Sequence, residues 1–245
     1  MLIGVVGKPS CGKSTFFKAA TLSNVDIANY PFTTIKPNHA VGFVKIEDPA
    51  VQFGKHSNPR IGYVVDDSRF VAVDLIDVAG LVPGAHKGEG MGSQFLSDLN
   101  QADILIHVID ISGSVNGKGE PCEPLSYDPL NDVEFLETEL DFWYLDIIKR
   151  GWDKFSRTIQ QEKSQTSKAI GKQLSGLGVD EDLVKKAIQE LLLNPEKPST
   201  WTDEEIFKLA RYLRIKTKPM MIYGIVLRNE YDGQLEKVKK IILKF

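Results

Sequence analysis

The chain has 245 residues, 42% of them hydrophobic and 26% charged, and its 30 basic against 33 acidic side chains leave a formal net charge of −3. That balance excludes a disordered chain and argues against a protein wrapped broadly around nucleic acid, while 2 cysteines in such a length exclude a disulfide scaffold and point to a reducing, cytoplasmic setting. No apolar run approaches the ~18 residues of a membrane span, and the apolar opening meets Lys8 and Pro9 too soon, without a basic flank, to be an export signal.

In chain order, short β-rich apolar runs at 2–6, 40–46, 70–76 and 104–109 predict strands, the last so continuously apolar that both its faces must be covered. Helical composition at 13–20 and 92–101 lies between them, so strands and helices alternate and a mostly parallel, doubly wound α/β sheet is expected. A Gly-, Pro- and polar-rich loop fills 113–129. From Asp132 a helical pattern begins, with Phe135, Leu136, Leu140, Trp143, Tyr144 and Ile147 on one face, and it runs on through Phe155, Ile159 and Ile170 until Gly176 and Gly178 break it. Further helices fit 180–193 and 203–213, the latter with Thr202 as N-cap. Residues 132–214 are therefore read as a helical, coiled-coil-like insertion, either projecting as an antiparallel hairpin with a shorter helix or packed on the sheet; the length and polarity of its first helix favour projection. Strand character returns at 219–226 and a basic amphipathic helix at 235–243 closes the chain. The expected organisation is a core of residues 1–131, the insertion 132–214, and a return to the core at 215–245.

The chemistry is concentrated in Gly7-Lys8-Pro9-Ser10-Cys11-Gly12-Lys13-Ser14, which follows an apolar strand and opens a helix, the context that the phosphate-loop pattern G-x-x-x-x-G-K-[ST] requires. Its four fixed positions would match by chance in a chain this long about one time in a hundred, so the match counts before its context does. Gly7 and Gly12 let the backbone amides turn inward on a β-phosphate, and the helix N-terminus adds positive potential. Lys13 would neutralise β- and γ-phosphate charge, and the Ser14 hydroxyl would ligate Mg2+. Thr15, the next residue of the helix, completes the expected nucleotide contacts. The fold class this specifies is a P-loop NTPase.

Asp77-Val78-Ala79-Gly80 ends the predicted strand at 70–76. There the Asp77 carboxylate can hold the Mg2+ shell while the Gly80 amide reaches a γ-phosphate, the arrangement of a switch-type nucleotidase. Cys11, beside a helix N-terminus and Lys13, has two readings: a thiol of lowered pKa open to alkylation, or a small residue chosen for fit.

Together with Asn29-Tyr30-Pro31-Phe32-Thr33-Thr34-Ile35-Lys36-Pro37-Asn38 and the glycine-rich continuation Leu81-Val82-Pro83-Gly84-Ala85-His86-Lys87-Gly88-Glu89-Gly90-Met91-Gly92, these motifs resemble the Obg-related translational GTPases, most of all the archaeal form of the YchF branch. The stretches Gly151-Trp152-Asp153-Lys154-Phe155 and Leu174-Ser175-Gly176-Leu177-Gly178-Val179 resemble that branch's helical insertion. The resemblance implies a GTPase core using Mg2+ and GTP or ATP, a helical arm, and a cytoplasmic, monomeric protein that contacts the ribosome or its RNA. It also implies that Thr34, or else Thr33, closes on the metal when a γ-phosphate is present, so that Lys13, Thr34 and Gly80 act on that phosphate and Ser14, Thr34 and Asp77 hold the ion.

Four departures qualify the carry-over. Leu81 stands where Ras-like enzymes orient the attacking water with glutamine; a leucine has no donor or acceptor, so slow basal hydrolysis is expected, with backbone groups, His86 or a partner positioning the water. Tyr223-Gly224-Ile225-Val226 replaces the Asn-Lys-x-Asp purine motif, Asn229-Glu230-Tyr231-Asp232 being a late candidate that lacks the lysine. The family's later Ser-Ala-Lys-type loop and carboxyl-terminal β-domain do not occur in these 245 residues. Ser10 replaces the phosphate-loop asparagine of potassium-activated relatives. Two other classes of function stay open from sequence: a nucleotide-binding module with little turnover, and a P-loop small-molecule kinase.

Overall fold

The computed structural model describes residues 1–21, 39–78, 92–162 and 165–225. Strands β1 (Leu2–Val6), β2 (His39–Glu47), β3 (Tyr63–Val65), β4 (Ser68–Asp77), β5 (Ile104–Asp110) and β6 (Met220–Ile225) form one sheet in the order β2-β4-β1-β5-β6, with β3 paired to β4 outside that path. β1 is parallel to both its neighbours and β6 is parallel to β5, while β2 and β3 run antiparallel to β4. β5 is buried at every position after Ile104, as its unbroken apolar sequence requires.

The two faces of the sheet separate by residue parity, because successive strand side chains point opposite ways. Val5, Leu75, Ile106 and Val108 face Phe16 and Phe17 of helix α1 (Lys13–Ala20). Val6, Ile76 and Leu105 face the other way, toward Phe95 and Leu99 of α2 (Gly92–Gln101). Helices on both faces make the sheet doubly wound, as expected. β3 was not foreseen. Three residues are too few to show a period, and its placement rests on Tyr63, whose ring stacks on Phe70 at 4.7 Å and tilts against Phe43 at 5.1 Å.

The helical region consists of α3 (Leu130–Lys149), α4 (Trp152–Glu162), α5 (Thr166–Gln173), α6 (Glu181–Glu190) and α7 (Asp203–Thr217). The long first helix read from the sequence ends at Lys149, because Gly151 takes a left-handed φ of 74° that a continuing helix cannot contain. Asp180 and Thr202 cap α6 and α7, Thr202 in a reciprocal capping box with Glu205. α3 and α7 pack antiparallel: Lys149 pairs with Asp203 at 2.7 Å at one end, and Arg214 lies 3.8 Å from Glu137 toward the other. Between these ends the Arg214 Nε donates to Asp141 Oδ1 at 2.7 Å, with both side chains buried.

Leu136, Leu140 and Tyr144 of α3 are fully buried and belong to the same apolar cluster as Val6, Phe95 and Leu99 beneath the sheet. That cluster runs on through Trp152 and Trp201 to Leu209 and Leu213. The core thus continues from sheet to helices without a break, and α3 is rooted on the sheet instead of projecting freely from it. Each such buried leucine contributes roughly 1.5–3 kcal/mol, enough to hold the root of α3 against the strands. The helix expected at 235–243 lies outside the described residues.

Candidate nucleotide site

β1 ends at Val6 and the chain turns at once into the phosphate loop, which closes at Gly12, the N-cap of α1, with φ 94°. Gly7, at φ 151°, is hemmed in: a Cβ there would lie 2.4 Å from the Val108 carbonyl oxygen and 2.9 Å from the Cys11 sulfur. Ser10 also takes a left-handed φ, 60°, which a short polar residue tolerates better than a branched one. The first turn of α1 carries no acidic residue of its own to offset its N-terminal field.

Lys13 is buried, and its Nζ donates to the Lys8 carbonyl across the loop at 3.1 Å. Parallel pairing sets Val5 of β1 opposite Asp77 at the end of β4, which brings that carboxylate to the first turn of α1. The Ser14 hydroxyl donates to Asp77 Oδ2 at 3.1 Å, while Asp77 Oδ1 is buried with no hydrogen-bond partner among the described residues. A hydroxyl and a carboxylate side by side, with a lone pair still unfilled, form an oxygen donor set suited to a small hard cation that keeps several waters, as Mg2+ does. Thr15 is exposed on α1. Thr33, Thr34, Gly80, Leu81, His86 and the stretch 229–232 lie outside the described residues.

Cys11 is fully buried, with its thiol donating to the Val108 carbonyl at 3.2 Å. Desolvation pushes the thiol pKa up, against the smaller opposing pull of Lys13. Of the two readings of this residue, the small group chosen for fit agrees with the structure, and the reactive thiolate does not.

Lys8 turns its side chain away from the loop interior. Its Nζ donates to the Val115 carbonyl at 2.7 Å, sits 4.0 Å from the Tyr127 ring centroid and lies 2.8 Å from Asp132 Oδ2. The Tyr127 hydroxyl donates to Asp132 Oδ1 at 2.8 Å. Burial pushes the Asp132 pKa up, and Lys8 and Tyr127 work against that shift. Any contribution of Lys8 to phosphate binding therefore falls to its backbone. Pro9 packs against the loop after β5, where a Cβ on Gly119 would come within 2.7 Å of Pro9 Cβ. That loop is organised by Asp110, whose two carboxylate oxygens accept from the amides and hydroxyls of Ser112 and Ser114.

None of this cluster was anticipated from sequence. Lys8 and Asp132 are 124 positions apart, and by its pattern Asp132 reads as the start of the insertion. The one available signal is Tyr127, the single aromatic residue of the 113–129 loop. At the far edge, Tyr223 is a β6 residue whose ring lies 4.7 Å from that of Phe16, and Gly224 and Ile225 continue the strand.

Comparison with known proteins agrees with this geometry. The chain is 48% identical over 240 residues to an uncharacterized GTP-binding protein of Methanocaldococcus jannaschii, a match covering 98% of this chain and 60% of that one. It is 35% identical over 250 residues to the ribosome-binding ATPase YchF of Haemophilus influenzae, covering 98% of this chain and 61% of that protein. The crystal structure of a GTP-binding protein from Pyrococcus horikoshii superposes with a TM-score of 0.82 at 34% identity, covering 100% of this chain and 62% of the other. The chain thus spans about three fifths of the length of these relatives. The model of the 50S ribosome-binding GTPases matches residues 2–138, more than half of the sequence. With its phosphate loop, its strand-end aspartate and these relatives, the chain belongs to the 50S ribosome-binding GTPase family of P-loop proteins, among the YchF-type GTP-binding proteins.

Proposed function

We propose that this chain is the nucleotide-handling part of a Mg2+-dependent switch that binds and slowly hydrolyses GTP or ATP and associates with the ribosome. The observation that carries the reading is the Ser14–Asp77 contact with its unfilled Asp77 oxygen, set beside the buried Lys13 ammonium. Ser14 and Asp77 are the residues that would hold the metal, which would supply neutralisation of phosphate charge there. Lys13 binds the same phosphates from the loop side, and the loop amides with the α1 N-terminus orient them. Thr34 and Gly80 are assigned to the γ-phosphate on the motif alone. Leu81 cannot orient water, which supports slow turnover. Ribosome association rests on the family and on the name of the YchF relative. Among the described residues no helix is long and apolar enough to cross a membrane.

Base choice follows from β6. Tyr223, Gly224 and Ile225 offer no side-chain carboxylate to the guanine ring N–H groups, so selectivity rests on contacts common to both purines. Calorimetric titration with GTP and with ATP, each with Mg2+ and with EDTA, tests the reading. Both nucleotides should bind within about tenfold of one another, a difference of ~1.4 kcal/mol or less, and both should weaken without Mg2+. Binding indifferent to the metal would remove the assignment of Ser14 and Asp77. A strong GTP preference would place base recognition elsewhere in the chain.

A further inference from the structure

At the opposite end of the sheet from the phosphate loop lies a cavity of about 760 Å³, within the size range of small-molecule sites. Two of its lining residues fix its place: Asp103 comes just before β5 and Lys218 just before β6, whereas the phosphate loop and Asp77 stand at strand carboxyl ends. A strand such as β1, at ~3.3 Å per residue, puts roughly 17 Å between the two ends. The remaining walls belong to the helical region: the turn at Gly176 and Gly178, Asp180 and Lys186 of the α6 segment, and Lys216 in the last turn of α7. The cavity thus lies where the sheet and the helices join.

Lys218 is only 4% exposed. Its ammonium donates to the Asn100 and Ala102 carbonyls at 3.2 and 2.6 Å, and both of those residues line the cavity as well. An ammonium has three N–H donors, so one is left over from these two bonds. Burial pushes the Lys218 pKa down, with the charge of Asp103 pulling the other way. A buried cation held by neutral carbonyls gains from an anion brought to its third donor, because that contact is charge-assisted and offsets the desolvation. Lys186 and Lys216 bring two more ammonium groups to the same space, and neither pairs with a carboxylate among the described residues. The three acids of the lining have donors of their own. Asp180 caps α6 through the Leu183 amide, Asp103 accepts from the Leu2 amide, and Asp182 lies 3.6 Å from Lys185. We propose that this cavity is a second binding site, which takes a small phosphorylated or polyphosphate anion on Lys186, Lys216 and Lys218. Such a ligand ties α6 and the end of α7 to the amino ends of the strands, and so acts as an effector at the joint and not as a substrate. The proposal stands whether or not the phosphate loop holds a nucleotide.

The probe is sodium tripolyphosphate, titrated calorimetrically without metal into the whole chain carrying Lys13→Ala, so that the phosphate loop lacks its principal cation. Saturable binding should persist in that protein, and backbone hydrogen exchange read by mass spectrometry should slow at 175–187 and 214–219 but not at 7–20. Adding Lys186→Gln and Lys216→Gln should raise the Kd about tenfold or more and erase that protection. Adding Lys45→Gln and Lys55→Gln instead removes the same charge from exposed positions outside the cavity, and should change the Kd less than about threefold. Both pairs are on exposed side chains, so the comparison does not depend on replacing the buried Lys218. Equal weakening by the two pairs would show diffuse attraction and overturn the site, as would protection confined to 7–20 or no binding at all. Single-stranded oligouridylate is titrated into the same proteins. If it binds more tightly than tripolyphosphate and loses that binding with Lys186 and Lys216, the lysines serve an RNA backbone and the small-anion assignment falls.

Discussion

Replacing Lys13 by alanine removes the only side-chain cation inside the loop whose geometry faces the phosphates. Among the described residues this ammonium makes one hydrogen bond, to the Lys8 carbonyl at 3.1 Å. On nucleotide it can keep that bond, since an ammonium has three N–H donors, and use the other two for charge-assisted contacts to β- and γ-phosphate oxygens at roughly 1.5–3 kcal/mol each. The loss in Lys13→Ala is therefore about 3–6 kcal/mol, or roughly 10²- to 10⁴-fold in Kd. The fold should barely change, since the lost bond to Lys8 is offset by no longer burying an ammonium; a shift of Tm beyond about 4 °C would signal a broader disturbance. Calorimetric titration with Mg2+ and either GTP or ATP measures the effect. A Kd within threefold of the unmodified protein would refute the assignment of Lys13 to the phosphates.

His107 is buried beside Lys8 and Lys13, and burial, reinforced by those charges, pushes its pKa down from 6.5 to about 3. The folded chain then binds fewer protons than the unfolded one below pH 6.5. Stability from this residue is complete above that pH and falls on acidification, by up to about 1.4 kcal/mol per pH unit. Urea denaturation between pH 4.5 and 7.5 should show that slope and His107→Leu should flatten it; identical slopes in the two proteins would contradict the burial. Asp141→Asn leaves the buried Arg214 guanidinium with only the more distant Glu137 carboxylate, 3.8 Å away, and should cost about 3 kcal/mol, seen as a fall in Tm of about 6–12 °C, whereas Asp141→Leu with Arg214→Met should recover most of it. Cys122 should be alkylated in the native protein and Cys11 only after unfolding; mass spectrometry showing Cys11 modified first would contradict its packing against Val108.

The phosphate site was legible because its chemistry is local. Gly7, Gly12, Lys13 and Ser14 are fixed by a contiguous pattern, and Asp77 needed only a strand ending in the right place. Strands β1, β2, β4, β5 and β6 were found to within about two residues, since each covers several periods of apolar residues. β3 escaped because its three residues follow Gly62, whose left-handed φ of 83° brings it against the Phe70 carbonyl, so its place depends on a partner and not on its own pattern. The signal that would have found it is the Asp66-Asp67 turn between Val64-Val65 and the next strand. The reach of the first helix was misjudged for the opposite reason. The apolar spacing continues past Lys149, but Gly151 sets the backbone and Trp152 turns to stack on Trp201, 5.6 Å away. The motif places Lys8 in the phosphate loop, while the direction of its side chain is decided by distant residues such as Asp132.

The order in which the sheet is threaded bears on how the molecule forms. β5 and β6 are neighbours in space but about 110 residues apart in sequence, with all of α3 to α7 between them. During synthesis at 5–20 residues per second, the edge of β5 that receives β6 waits roughly 5–20 s after its own emergence. A buried apolar strand left unpaired for that long is a template for pairing with other chains. Prompt collapse of the helices on Leu136 and Leu140 would shield that face while the edge waits. The closing step also has a marker of alignment. Lys218 enters β6 with its ammonium buried against the carbonyls of Asn100 and Ala102, at 3.2 and 2.6 Å, and the Leu105 amide donates to Pro219 at 2.9 Å. A strand arriving one residue out of step would leave that charge buried without acceptors, so Lys218 acts as a late proofreading point for the pairing that completes the sheet.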